Sequence, residues 1–264
     1  MLAIAIGIVL ATATGSVQGI ALGPVHASTF SSVPAIANGS VLTTAFGSVL
    51  AIATGSVQDI AFGSVLAIAI SSVLATATGA VQGIAFGLAR AIAICSVHAE
   101  AADPVLATAL GSAHVIAFGL VLANATGSLQ AIAFGSAHAI AIGFVHAEAA
   151  GPVRAIAFGP AHASAIGLVC ATAFGPARAI AFGSVPAVAT GSVLAIAFSS
   201  LWVSTIGSVC AMAISSQVRA IAIGSVMAIA AGSLQATAVG SARAIPLAQC
   251  MPLPPAQCVP WPSA

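Results

Sequence analysis

The sequence predicts an all-β protein, folded as a parallel β-solenoid of octapeptide repeats. Three observations predict this class: a period of eight residues, the alternation of small and large residues within each repeat, and the mismatch between that period and a helix. The repeats occupy residues 1–247 with the consensus Gly-Ser-Val-x-Ala-Ile-Ala-Phe, and we number these positions slots one to eight from the glycine. Residues 248–264 form a tail with proline, cysteine and an octad of its own, AQCxPxPx.

The period is nearly unbroken along the chain. Slot one recurs every eight residues from Gly7 to Gly207, one additional residue near Gln217 shifts the phase, and the period resumes at Gly224. A longer echo is superimposed on it, because AIAICSVHAEAADPV, which starts at residue 91, returns as AIAIGFVHAEAAGPV from residue 139, 48 residues or six octads later. A copied block that keeps its variants indicates duplication at the level of DNA.

An even period favours strands. Side chains of a strand alternate between two faces, so eight residues keep every slot on the same face throughout. Slots one, three, five and seven read Gly, Val, Ala and Ala, whereas the other face carries Ser, a variable residue, Ile and Phe. In a helix, eight residues make two turns plus about 80°, so no apolar stripe persists. We therefore expect stacked strands, with two octads in each coil and turns at Gly-Ser.

The composition leaves two alternatives open, namely no unique fold and apolar membrane helices. Hydrophobic residues make up 60% of the chain and charged residues 3%, and the chain has neither lysine nor tyrosine. Apolar spans of about 20 residues can cross a bilayer, and uncharged β-prone segments favour aggregation. We expect the chain, if it is produced, to be membrane-bound or aggregated. Self-association or membrane contact is then expected, and nucleic acid is excluded as a partner because no basic patch exists.

Slot four suggests how the sequence arose. It holds Leu, Gln, Cys, Pro34, Pro186 and Trp202, which differ in their preference for burial and for backbone hydrogen bonding. It also holds every histidine and every arginine: His26, His98, His114, His138, His146 and His162, with Arg90, Arg154, Arg178, Arg219 and Arg243. Codons that begin with C and differ at the second base encode Leu, Gln, His, Arg and Pro. We interpret the chain as the translation of a 24-base tandem repeat.

No motif predicts a catalytic, cofactor-binding or metal site. His98-Ala99-Glu100 and His146-Ala147-Glu148 match the H-x-E of zinc deaminases, but the P-C-x-x-C that completes that site is absent. Only His138 and His146 occupy successive octads, which is too few for converging metal ligands. The five cysteines show no C-x-x-C spacing and predict no disulfide framework. We therefore expect no enzyme, no cofactor and no bound metal.

Three hypotheses for the function remain: no specific biochemical activity, a structural repeat protein that is adhesive, surface-forming or ice-active, and a multi-span membrane protein. The Gly-Ser-Val-Gln octads at Gly15 and Gly55 resemble the octapeptide repeats of bacterial ice-nucleation proteins, which also show a 48-residue order. This resemblance implies a solenoid with an ordered water-binding array. The chain lacks the regular Thr-x-Thr and the tyrosine of those repeats, so no functional residue is transferred from them.

Overall fold

The computed structural model describes residues 1–214 and 217–246 and shows a parallel β-solenoid of about 15 turns. This confirms the predicted fold class. The described ranges contain 31 strands and no helix, so none of their segments forms a helix that could span a bilayer. The alternative of apolar membrane helices therefore has no support in this part of the chain. The tail at residues 248–264 lies outside the described residues, and its octad is not tested.

Consecutive strands alternate between two sheets. The first, sheet A, has 16 strands: β1 Leu2–Ala5, β3 Gln18–Ala21, β5 Val33–Ala37, β7 Val49–Ala53, β9 Val65–Ala69, β11 Val81–Ala85, β13 Val97–Ala101, β15 Ala113–Ala117, β17 Leu129–Ala133, β19 Val145–Ala149, β21 Ala161–Ala165, β23 Ala177–Ala181, β25 Val193–Ala197, β27 Val209–Ala213, β29 Val226–Ala230 and β31 Ala242–Pro246. The second, sheet B, has 15 strands: β2 Val9–Ala13, β4 Val25–Thr29, β6 Val41–Ala45, β8 Val57–Ala61, β10 Val73–Ala77, β12 Ala89–Ala93, β14 Val105–Ala109, β16 Val121–Ala125, β18 Ala137–Ala141, β20 Val153–Ala157, β22 Val169–Ala173, β24 Val185–Ala189, β26 Leu201–Thr205, β28 Gln217–Ile223 and β30 Ser233–Val239.

Each coil contains two octads, as the sequence predicts. Val49 lies opposite Val65 in sheet A and Val57 lies opposite Val73 in sheet B, so neighbours in a sheet are sixteen residues apart. All strand pairs are parallel. Across the additional residue near Gln217 the spacing within a sheet increases by one, so Leu201 pairs with Val218, seventeen residues on. The slots therefore stay aligned across this change of spacing.

The small residues of the repeat form the core. Slots three, five and seven point inward along nearly every strand, as in Val65, Ala67 and Ala69, which are all buried. Slots four, six and eight point outward, so most of the isoleucine and phenylalanine side chains lie on the surface. Volume decides this orientation, since the two sheets of so short a coil leave room mainly for valine and alanine, with leucine at Leu129 and Leu201.

The interior slots vary far less than the outer ones. From Val9 onward slot three of the described strands is Val, Ala or Leu, and slots five and seven are almost always Ala. The buried polar or charged residues of the interior are Thr29, Thr43, Asp59 and Thr205. Most of the sequence variation thus falls at positions where the side chain meets solvent.

Slot-one glycines allow consecutive coils to approach closely at the turns. A Cβ placed on Gly63 would lie 2.7 Å from the carbonyl oxygen of Gly47 in the coil before it. At Gly111 the corresponding distance to the carbonyl oxygen of Cys95 is 1.7 Å, which excludes any side chain without a shift of the backbone. Gly15 lies at the start of the solenoid, and its Cβ would meet nothing within 4 Å.

The outward orientation accommodates the mixed residues of slot four. Trp202 is 41% exposed, so its bulk needs no space in the core. The backbone nitrogen of slot four donates to the preceding coil, as Gln18 donates to the carbonyl of Met1 at 2.8 Å. Proline lacks that donor. In the strands that contain Pro34 and Pro186, pairing with the preceding coil accordingly starts at the residue after the proline, which is Ala35 in one strand and Ala187 in the other.

Outer side chains stack in columns along the solenoid axis. The rings of Phe30, Phe46 and Phe62 stack at centroid distances of 4.8 and 4.7 Å, which is the spacing of neighbouring strands. Three further phenylalanine pairs repeat this arrangement. Each outer slot therefore forms a column, whose members are sixteen residues apart in sequence, or seventeen across the additional residue near Gln217.

Candidate functional site

The candidate functional site is the outer face of sheet A near its middle. Here the slot-four column reads, coil by coil, His98, His114, Gln130, His146, His162 and Arg178. Four of the six histidines of the chain lie in this column, whereas His26 and His138 lie on sheet B. The rigid strands hold the column in register and set the spacing of its side chains.

The column contains two copies of one side-chain cluster. His98 Nε2 lies 3.0 Å from Glu100 Oε1 on the same strand. The ring centroid of His98 lies 4.8 Å from the ring centroid of His114 on the next coil. In the second copy, His146 Nε2 lies 2.9 Å from Glu148 Oε1, and its ring lies 4.7 Å from that of His162. The two copies are three coils apart because the duplicated block recurs six octads later in the sequence, and each coil contains two octads.

The histidines of this face respond to burial and to one another. Partial burial lowers the pKa of His114, the charge of His98 lowers it further, and Glu100 raises it. Burial lowers the pKa of His162 as well, with contributions in the same direction from His146 and Arg178. Both rings are therefore neutral at pH 7 and can accept a hydrogen bond or a metal ion.

We predict that acid destabilises this face. A histidine whose pKa is lowered in the folded chain binds fewer protons than it does when unfolded, so stability is lost as pH falls below about 6.5. His162→Gln should reduce that loss, because glutamine already occupies the same column and does not titrate. Chemical denaturation between pH 8 and 5 measures the effect. His26→Gln on sheet B is the matched control, and equal behaviour of the two variants would contradict the prediction.

No preformed metal site is present in residues 1–214 and 217–246. No group of three His, Cys, Asp or Glu side chains there has a geometry that could hold a metal ion. The H-x-E motifs instead form hydrogen-bonded pairs, since each glutamate contacts the histidine two residues before it. His138 lies apart on sheet B, where burial and the charge of Arg154 lower its pKa.

A trough runs along sheet A beside this column. The slot-two and slot-four side chains form its walls, and it consists of three cavities of about 500, 500 and 780 Å³ in chain order. Phe144, at slot two, lines both the second and the third cavity and therefore separates them. We name the third cavity, from Phe144 to Arg243, the arginine trough.

Sequence reasoning did not find the two histidine clusters because it compared successive octads. Successive octads lie on opposite sheets, so His138 and His146 face away from each other, whereas His98 and His114 are neighbours. A search for residues sixteen apart, which follows from two octads per coil, would have found both clusters. Asp59, at slot five, lies in the core and accepts a hydrogen bond from the Thr43 hydroxyl.

Comparison with protein-family models, with curated proteins and with solved structures gave no match to this chain. The chemistry of the surface therefore has to be inferred from its own residues.

Proposed function

We propose that the chain is a structural repeat protein, a rod whose sheet A adheres to apolar surfaces. The observation that supports this proposal is the slot-six column of sheet A. Six successive coils present isoleucine there: Ile4, Ile20, Ile36, Ile52, Ile68 and Ile84. A rigid apolar column of this length is an interaction surface, since monomeric proteins rarely expose large contiguous apolar patches.

Sheet B is the less apolar of the two faces. Its slot-six column begins Thr12, Ser28, Thr44, Ile60 and Thr76, so hydroxyl groups interrupt the apolar surface. An ice-active array would need a regular series of threonines, and the isoleucines of this column break any such series. We therefore favour adhesion by sheet A over ice binding by sheet B.

Partners and activity follow from the same proposal. Apolar surfaces, including membranes and further copies of this chain, are the partners that an isoleucine column suits. Nucleic acid is not proposed, because the five arginines are divided between the two faces. We propose neither an enzymatic activity nor a cofactor.

We also propose that the coding sequence arose as a 24-base tandem repeat. The near-invariance of slots five and seven supports selection for the fold after the repeat arose, because free drift would vary inner and outer slots alike. Adhesion and a repeat origin are compatible, since duplication of DNA supplies coils and burial then restricts the interior.

Adsorption to a methyl-terminated surface, measured with a quartz crystal microbalance, tests the adhesive proposal. The triple variant Ile36→Thr, Ile52→Thr, Ile68→Thr keeps β-branched residues in the strands and should bind about tenfold more weakly, because it removes apolar contact area. The matched control replaces Ile92, Ile140 and Ile156 of sheet B with threonine. Equal losses in the two variants, or no adsorption of the unmodified protein, would refute adhesion by sheet A.

A further inference from the structure

The arginine trough has a charge pattern that the adhesive surface does not explain. Its slot-four wall begins at His162 and Arg178, continues through Leu194, Cys210 and Met227, and ends at Arg243. One cationic side chain thus lies at each end of an apolar stretch, Arg178 at the first end and Arg243 at the second. Pro176 and a series of serines form the opposite wall.

No negative charge balances these arginines. Within the described part of the chain no carboxylate lines the trough, and neither arginine forms a salt bridge. Glu148, an acidic residue of a neighbouring strand, contacts His146 instead. Because burial and the neighbouring charges of His146 and Arg178 lower its pKa, His162 is mainly uncharged at neutral pH and leaves the two arginines as the charged groups of this wall. The trough therefore favours an anionic occupant.

The spacing of the arginines sets the length of that occupant. Arg178 on β23 and Arg243 on β31 are separated by four coil steps, or about 19 Å at the usual distance between strands. An extended aliphatic chain of about sixteen carbons spans this distance at ordinary carbon–carbon bond lengths. Leu194 and Met227 would contact such a chain along its middle.

We propose that the arginine trough binds long-chain aliphatic dicarboxylates. One carboxylate pairs with the guanidinium of Arg178 and the other with that of Arg243, each through charge-assisted hydrogen bonds. The methylene chain lies over Leu194, Cys210 and Met227 and loses contact with water. Phe144 borders the trough at its N-terminal end, two coil steps before Arg178.

Isothermal titration of the full chain with hexadecanedioate, below its aggregation concentration, tests this proposal. Arg178→Gln and Arg243→Gln should each weaken binding at least about tenfold, and hexadecanoate, which can satisfy only one arginine, should bind about tenfold more weakly than the diacid. Arg154→Gln, at slot four of sheet B, is the matched control and should change nothing. An equal loss with Arg154→Gln, or equal binding of the dimethyl ester, would overturn the proposal.

A second variant tests the location of the site without altering charge. Ser208→Phe places an aromatic ring in the slot-two wall, as Phe144 does in the native chain, and should abolish binding of hexadecanedioate. Ser184→Phe makes the same change at slot two on the side of sheet B and should leave binding intact. Circular dichroism verifies that both variants keep the β-solenoid, and retention of binding by Ser208→Phe would place the ligand elsewhere.

Discussion

Asp59→Ala should stabilise the protein at pH 8 by about 3 kcal/mol and destabilise it by about 1 kcal/mol at pH 4. Asp59 is fully buried at slot five, and this burial raises the pKa of its carboxyl from 3.8 to about 7. The hydrogen bond from Thr43 lowers the pKa but only partly offsets burial. The carboxylate oxygen Oδ2 has no hydrogen-bond partner, so the charged form is poorly satisfied in the core.

The sign of the pH dependence follows from proton binding. Between about pH 4 and pH 7 the folded chain holds a proton on Asp59 that the unfolded chain has released, so stability falls as pH rises through this window. The difference in pKa corresponds to about 4 kcal/mol, and loss of the Thr43 hydrogen bond offsets about 1 kcal/mol of the gain from alanine.

Chemical denaturation followed by far-ultraviolet circular dichroism at pH 4 and pH 8 measures both effects. Asp103→Ala is the matched control, because Asp103 is an exposed slot-one residue. A gain in stability of equal size at the two pH values would show that the carboxyl group does not titrate in the core. No gain at pH 8 would show that Asp59 is solvated in the folded chain.

Gly111→Ala should destabilise the protein by about 3 kcal/mol. The added Cβ would lie 1.7 Å from the carbonyl oxygen of Cys95, so the two coils must separate at this turn. The expected loss of stability is at the upper end of the range for overpacked sites. Gly15→Ala is the matched control, since a Cβ there meets nothing within 4 Å, and we expect a change of no more than about 0.5 kcal/mol. Equal effects in the two variants would contradict the close approach of the coils.

The period of the sequence was sufficient to predict the strands, their parallel stacking and the length of the coil. Eight is even, so each slot keeps one face, and two octads return the chain to the same sheet. The sequence did not show which face is inside. Hydropathy alone would bury slots six and eight, where Ile52 and Phe62 stand, yet these side chains are exposed because the space between the sheets is filled mainly by valine and alanine.

Slot four shows where sequence reasoning lacked a physical account. Arginine, proline and tryptophan share no preference as core residues, and the sequence therefore suggested that base changes alone governed the position. The structure supplies a common environment, the outer surface, where Arg178, Pro186 and Trp202 are all accommodated. The histidine clusters were missed for a related reason, since their members become neighbours only when the chain has closed a full coil.

The two-octad coil makes the parity of any duplication decisive. Copying an odd number of octads would transfer every following strand to the opposite sheet. The isoleucine column of sheet A would then continue as a column that contains threonines. Copying an even number lengthens the rod and leaves every strand on its original sheet. The block that starts at residue 91 recurs at residue 139, six octads later, which is an even number. Glu148 accordingly lies on the same sheet as Glu100. Growth by whole coils can thus extend a surface pattern without scrambling it.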